Sequence, residues 1–173
     1  MDVDDSLPGF RFHFQKALVP EDAGVIDDGL VWSGGDTHLV ITGDLVDRGA
    51  DSRRVMDLVM RLETEALRSG GRVHLILGNH EVMNIIGDLR YVADAEYAAF
   101  AEDESGAERD GWYRKFRESY PDDADEATAK AAFNEKAPPG FFGHRRAFAA
   151  NGTYGKWLLE KPLIIVINDI AFV

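Results

Sequence analysis

The chain has 173 residues, carries a formal net charge of −12 at pH 7 and contains no cysteine. This length is enough for one domain with a substantial core, and no apolar run is long enough to cross a bilayer. The negative charge argues against a general nucleic-acid binder, which needs a basic face, and the lack of cysteine excludes disulfides and thiolate metal sites. We therefore expect a globular domain with no nucleic-acid partner and no membrane partner.

The first half of the chain predicts a strand, a helix and a second strand. Before them, the segment RFHFQKALVP at 11–20 is predicted as a short helix. The β-branched run HLVITGD at 38–44 predicts a buried strand. Asp51 is placed to cap a helix that starts at Ser52, and RVHLIL at 72–77 predicts the next strand. The helix has apolar residues at the spacing of one helical face: Val55, Leu58, Val59, Leu62 and Ala66.

The second half predicts mostly helix. Helical patterns run over roughly 79–87, 94–104, 107–119, 125–136 and 154–162. The last eleven residues, LIIVINDIAFV, predict two strands that turn at Asn168 and Asp169. Residues 1–173 are interpreted as one partial domain with an acidic helical insert at about 93–136. The insert is expected to be a solvated surface, with a docking face for a basic partner as the alternative.

Polar clusters follow both predicted strands of the first half. GDLVDRG at 43–49 follows the first strand, and GNHE at 78–81 follows the second. Strands joined by a crossover helix run parallel as neighbours or near neighbours, so their carboxyl ends lie at the same edge of the sheet. Ligands of such sheets bind beyond that edge. We therefore expect the two clusters to form one site.

The first cluster has the residue types of a metal and phosphate site. Asp44 sits at the strand end, where a rigid carboxylate is a good metal ligand. Asp47 is a second acid, and Arg48 offers a planar fork that matches phosphate oxygens. Gly43 and Gly49 permit sharp turns. The alternative is an Asp-rich turn with an Arg–Asp pair at the surface.

The second cluster adds a titratable group. Asn79 offers a carbonyl oxygen to a hard divalent ion, and His80 is a residue type that can act as a general acid. Glu81 could bind backbone groups at the start of a helix. The alternative is a helix cap with Asn79 at the N-cap and Glu81 in the first turn. That alternative leaves His80 unexplained.

GDLVDRG and GNHE resemble signature motifs of the calcineurin-like metallophosphoesterases, and the VDRG ending resembles the phosphoprotein phosphatase form. The longer strings HLVITGDLVDRGADSRRVMDLVMRLE and GNHEVMNIIGDLRYV, with the C-terminal part from FGHRR onward, are similar to the bacterial Shewanella-like protein phosphatase branch. The resemblance runs from about residue 25 to 173. It implies a layered α/β fold, with a central β-sandwich flanked by helices, that is incomplete here at both ends.

The resemblance also implies roles for individual residues. Asp44 would bridge two divalent ions (Mn, Fe or Zn), and Asn79 would bind the second ion. His80 would protonate the leaving oxygen while Asp47 holds and tunes its ring, and Arg48 would grip the phosphoryl oxygens. A bridging hydroxide of the dinuclear centre would attack phosphorus in line. The metal ions are the only cofactors implied.

The family pattern includes an Asp-x-His motif before GDLVDRG and two later histidines, none of which this chain supplies convincingly. Asp36-Thr37-His38 has that form but starts the strand and would lie at its wrong end. His74 is expected to pack within a strand, and His144 is expected on a helix rather than at a metal. In the family a His-Gly-Gly loop typically follows the last strand. We therefore expect a piece of a longer protein that lacks some metal ligands and has little or no activity alone.

The leading functional prediction is a metal-dependent phosphomonoester hydrolase that acts on phosphorylated proteins or peptides. One alternative in the same enzyme class is a nucleotide or dinucleoside polyphosphate phosphoesterase. An alternative of another class is a non-catalytic phosphatase-like binding module that uses the acidic insert. Arg90 and Tyr91 in GDLRYV could reach a substrate or could be surface and packing residues. The compartment is open, with the cytoplasm favoured, and the sequence does not determine the oligomeric state.

Overall fold

The computed structural model describes residues 31–173 with their side chains, and the backbone of 11–13 and 16–18. The strands are β1 Arg11–His13, β2 Lys16–Leu18, β3 His38–Ile41, β4 Arg72–Leu75, β5 Ile165–Ile167 and β6 Ile170–Phe172. The helices are α1 Ser52–Arg68, α2 Asn79–Ile86, α3 Asp94–Ala98, α4 Gly106–Glu118, α5 Glu126–Lys136, α6 Phe141–Phe148 and α7 Thr153–Leu158. A 3-10 turn lies at Ala101–Asp103.

The predicted helix at 11–20 is wrong. The strands β1 and β2 pair antiparallel there, with Arg11 opposite Leu18 and His13 opposite Lys16. Polar and apolar residues alternate through Arg11, Phe12 and His13, and this period of two matches a strand. The aromatic residue also favours extended backbone. The alternation, rather than the overall apolar content, was the informative signal in this segment.

The strand–helix–strand unit of the first half is confirmed. β3 and β4 pair in parallel, with His38 opposite Arg72 and Ile41 opposite Leu75, and α1 makes the crossover. Both strands end earlier than predicted because the chain turns away before each polar cluster. Asp51 precedes α1 at the N-cap position, but its side chain makes no cap hydrogen bond and instead accepts one from Arg54.

One hydrophobic cluster holds this unit together. Alternate residues of the two strands, such as Leu39 and Leu75, are buried on one face, whereas the other face is more exposed. The buried residues of α1 are Ser52, Met56, Val59, Leu62 and Ala66. The predicted apolar stripe is therefore correct at three positions, while Val55 and Leu58 are only partly buried. Phe148 of α6 and Leu158 of α7 complete the cluster.

The helices α2, α4 and α5 lie close to the predicted ranges, and α6 confirms the helix expected around His144. By contrast, α3 ends at Ala98 rather than at 104, and α7 ends at Leu158 rather than at 162. The strands β5 and β6 form the predicted hairpin. Its turn residues Asn168 and Asp169 both have positive φ, as a two-residue hairpin turn requires. The segment between α7 and β5 joins the first unit where the amide of Leu77 donates to the carbonyl of Pro162 at 3.0 Å. Among the helices described, none combines the length and the apolar character needed to span a bilayer.

Candidate active site

The loops that follow β3 and β4 meet backbone to backbone. Gly43 has φ +81, and a Cβ atom on it would overlap the backbone nitrogen of Gly78. A Cβ atom on Gly78 would in turn overlap the carboxylate of Asp44. Glycine is needed at both positions because no side chain fits between the loops, and Gly43 also adopts a left-handed conformation. The structure thus brings the two polar clusters together at one edge of the sheet.

Glu81 connects the two loops from their buried side. Its carboxylate is completely buried and accepts hydrogen bonds from the amides of Asp44, Leu45 and Gly78, at 2.9, 2.7 and 2.9 Å. Burial raises the pKa of Glu81, while these backbone hydrogen bonds oppose the increase. The N-cap of α2 is Gly78, one residue before the Asn79 position predicted for it. Glu81 therefore fixes the shape of the site without facing its opening.

His80 and Asp47 form a buried pair. Nδ1 of His80 lies 2.6 Å from Oδ2 of Asp47, and the two side chains are 3% and 0% exposed. The other oxygen of Asp47 accepts a hydrogen bond from Nδ2 of Asn84 at 2.8 Å. The amide of Asp47 donates to Oγ of Ser52 at 3.1 Å, which anchors the loop to the first turn of α1. The ring of His80 is therefore held in one orientation through Nδ1.

Asp44 and Asn79, the two predicted metal ligands, lie at the first turn of α2. Oδ1 of Asp44 accepts a long hydrogen bond from the amide of His80 at 3.3 Å, and no cation in the described part of the chain pairs with this carboxylate. Asn79 is exposed and its side chain makes only a weak contact with Sδ of Met83 at 3.8 Å. Both side chains are free to bind a ligand.

The chemistry of this pair fits a divalent ion, but the described residues supply only part of a complete ligand set. Carboxylate and amide oxygens suit hard divalent ions. Over residues 31–173, no three or more His, Asp or Glu side chains are grouped so that they could hold a metal ion. Asp44 and Asn79 could thus contribute to a metal centre, with the remaining ligands supplied by water or by other groups.

Arg48 packs on Tyr91. Arg48 has φ +59, and its amide donates to the carbonyl of Tyr91 at 3.0 Å. Its guanidinium lies 5.1 Å from the centroid of the Tyr91 ring, and that ring lies 5.2 Å from the ring of His80. Arg90, by contrast, forms a two-point ion pair with Asp88. Arg90 and Tyr91 were both predicted as residues that could reach a substrate. Only Tyr91 contacts residues of the candidate site, namely Arg48 and His80.

Among residues 31–173, the three histidines outside GNHE lie away from this edge. His38 begins β3, and His74 lies within β4 with its ring beside that of His38. His144 is fully buried on α6 and packs on Phe100 and Phe148 with ring centroids 5.1 and 4.6 Å apart. None of these three histidines reaches Asp44 or Asn79.

Sequence analysis missed three residues that support the site: Asn84, Ser52 and Arg145. Asn84 lies four residues after His80 on α2, so helical periodicity placed it on the same face. Ser52 is the first residue of a helix next to the motif. Arg145, whose Nη1 donates to the carbonyl of Asn84 at 2.7 Å, is 61 residues further along the chain, and no local signal pointed to it.

In this mixed α/β fold, GDLVDRG and GNHE meet at one edge of the sheet. This arrangement is that of the calcineurin-like phosphoesterases. The chain belongs to this family, whose sequence profile matches residues 11–167. It is 46% identical over 70 residues to Shewanella-like protein phosphatase 2 of Arabidopsis thaliana and 32% identical over 141 residues to Shewanella-like protein phosphatase 1 of Plasmodium berghei. These matches cover 40% and 82% of this chain.

A solved structure of a cold-active protein tyrosine phosphatase is also similar. The two chains are 28% identical and superpose with a TM-score of 0.51 over 82% of this chain. The matched regions cover only 31% of that structure, and 18% and 29% of the Arabidopsis and Plasmodium proteins. The chain thus spans less than a third of the length of these relatives.

Proposed function

We propose that this chain carries part of the active site of a metal-dependent phosphomonoester hydrolase that acts on phosphorylated proteins. The observation that carries the proposal is the buried His80–Asp47 pair beside the unpaired carboxylate of Asp44 and the guanidinium of Arg48. A general acid, a metal-binding oxygen and a phosphate-binding fork are the groups that this reaction needs. The protein phosphatases among the relatives support a phosphoprotein as the substrate.

Each residue has a defined task in this proposal. Arg48 binds two phosphoryl oxygens through its planar fork. His80 donates a proton to the leaving oxygen from the ring nitrogen that faces away from Asp47, and Asp47 keeps the ring oriented and stabilises its charged form. Asp44 and Asn79 help to hold divalent ions. When bound, such ions neutralise negative charge on the phosphoryl group and lower the pKa of an attacking water.

The test combines binding with turnover. The purified chain is titrated with inorganic phosphate with and without Mn²⁺ or Zn²⁺, and its hydrolysis of a phosphopeptide is compared with that of a dinucleoside polyphosphate. We expect metal-dependent phosphate binding, with the phosphopeptide preferred in turnover. Turnover by the chain alone is expected to be low, because the described residues hold few metal ligands. Chelation of the metal should abolish both signals.

Variants identify the site. Asp44→Asn should remove the metal dependence of phosphate binding, and His80→Ala should lower any measured rate by roughly 100- to 10,000-fold. Asp51→Asn is the matched control, because Asp51 is an exposed acid seven residues from Asp44 that pairs with Arg54. If neither the metal nor Asp44→Asn changes phosphate binding, a non-catalytic binding module becomes the better explanation. A preference for the dinucleoside polyphosphate would reassign the substrate.

A further inference from the structure

Two histidines lie side by side on the β3–β4 pair: His38 begins β3, and His74 is the third residue of β4. Nε2 of His74 is 3.2 Å from Nδ1 of His38, and the ring centroids are 5.1 Å apart with a 42° angle between the planes. Both side chains are on the less buried face of the strands. Neither histidine belongs to GDLVDRG or GNHE, and neither contacts Asp44 or Asn79.

These two distances agree with coordination of one ion. Two imidazoles that bind the same ion at about 2.0–2.1 Å have nitrogens roughly 3.0–3.4 Å apart and centroids roughly 4.6–5.2 Å apart, for angles between octahedral and tetrahedral. A collinear N–H···N hydrogen bond with the same nitrogen separation would place the centroids about 5.5 Å apart. The contact between His38 and His74 is a hydrogen bond that is bent from this line, and a metal ion bound by both nitrogens would replace its proton.

The charged groups near the two rings have both signs. Burial lowers the pKa of His74, and the neighbouring His38 and Arg72 lower it further, while Glu63 acts in the opposite direction. Glu63 is held by the indole of Trp157 and the ammonium of Lys161, and Arg72 opposes a cation. The site thus has two protein ligands with water in the remaining positions.

We propose that His38 and His74 bind one exchangeable divalent ion of the imidazole-preferring class, represented by Zn²⁺, Ni²⁺ or Cu²⁺. The ion links β3 to β4 and is separate from any metal centre at Asp44 and Asn79. Because it binds only the folded pair of strands, it stabilises the fold by an amount that rises with the logarithm of its concentration above the Kd. It also contributes to the metal content of the purified protein independently of the phosphatase site.

The experiment uses the whole chain with Zn²⁺ or Cu²⁺ as the probe. Zn²⁺ titrations at pH 7.5 are followed by calorimetry and by the ¹⁵N signals of the histidine rings, and Cu²⁺ spectra report the number of nitrogen ligands. Besides any binding at Asp44 and Asn79, we expect one site with two imidazole nitrogens, whose affinity is at least tenfold lower in His38→Gln and in His74→Gln and falls strongly at pH 5.5. Asp44→Asn should leave this site intact.

Circular dichroism checks that the two variants remain folded, and His38 is exposed enough for substitution without damage to the core. If one variant is unfolded, the other is compared with the wild-type chain by its Cu²⁺ spectrum, which should show one imidazole nitrogen fewer. The proposal is overturned if Zn²⁺ does not bind, if its affinity is the same in both histidine variants, or if only Asp44→Asn removes it.

Discussion

At the residue scale, Asn84 determines how Asp47 faces His80. Asn84 is completely buried, and Nδ2 donates both to Oδ1 of Asp47 and to the carbonyl of His80. Asn84→Ala leaves the buried Asp47 oxygen without a donor, so we expect unfolding to require about 1–3 kcal/mol less free energy. Asn84→Asp should be worse, because it places two carboxylates in contact. Chemical denaturation measures both, and equal stability of wild type and Asn84→Asp would contradict the assigned hydrogen bond.

Tyr91 acts as the support for Arg48. Its ring, rather than its hydroxyl group, makes the contact with the guanidinium, and the side chain is otherwise exposed. Under the proposed function, Tyr91→Ala should weaken phosphate binding roughly two- to fivefold, which is the size of an exposed cation–π contact of about 0.5–1 kcal/mol. Tyr91→Phe keeps the ring and should bind phosphate as wild type does. A similar loss in both variants would assign the effect to the hydroxyl group instead.

At the element scale, the contact between the loops after β3 and β4 makes two glycines indispensable. Gly43→Ala combines a left-handed backbone with overlap against Gly78, so we expect it to destabilise the fold by about 1–3 kcal/mol or more. Gly106→Ala is the matched control, because a Cβ atom there meets nothing within 4 Å and alanine favours the helix α4. Thermal unfolding compares the two variants. Equal melting temperatures would show that the loops separate without penalty.

The packing of α3 on α6 buries Tyr97 and makes the stability of the fold depend on pH in the alkaline range. Burial raises the pKa of Tyr97 from 10.0 to about 12, and the charge of Glu96 adds to this effect. The folded state then binds more protons than the unfolded state between these values, so stability is retained below pH 10 and falls as pH rises toward 12. Tyr97→Phe should make this fall shallower in denaturant titrations at pH 8, 10 and 11. Tyr91→Phe, at a residue 42% exposed, is the control.

At the scale of the whole molecule, one face of α1 organises the core. Leu62 is 0% exposed in the cluster that joins β3, β4, α6 and α7, whereas Leu67 on the same helix is 59% exposed. Leu62→Ala is expected to lower the free energy of unfolding by about 2–5 kcal/mol, and Leu67→Ala by much less. Denaturant unfolding of both variants measures the difference. Comparable losses would mean that α1 does not carry the core.

Polar contacts add to this packing across the molecule. The hydroxyl group of Tyr154 donates to Asp57 at 2.7 Å, and Lys161 and the indole of Trp157 both bind Glu63. These contacts join α7 and the following segment to the outer side of α1, more than 90 residues away in sequence. Hydrogen bonds to charged groups contribute about 1.5–3 kcal/mol each in favourable cases, so they supplement rather than replace the core.

Hydrophobic periodicity and the two motifs in the sequence predicted much of the fold and the motif residues of the site. Apolar residues at helical spacing predicted α1 within one residue of its start, and strand runs that end in GDLVDRG and GNHE predicted which residues meet at the sheet edge. This worked because a parallel crossover leaves few topologies open. The helix predicted at 11–20 failed because a ten-residue segment with mixed pattern contains little information. The roles assigned to Asp44, Asn79, His80, Asp47 and Arg48 stay predictions.

The sequence by itself determined the family, the strand–helix–strand unit and the residue types of the site, because motif spacing and hydrophobic periodicity are local properties of the chain. Only the tertiary structure decided how these groups are held: Glu81 against three amides, Tyr91 under Arg48, and Arg145 against Asn84. It alone also brought His38 next to His74. Such contacts depend on strand register and helix orientation, which are set by packing over the whole core rather than by any short stretch of sequence.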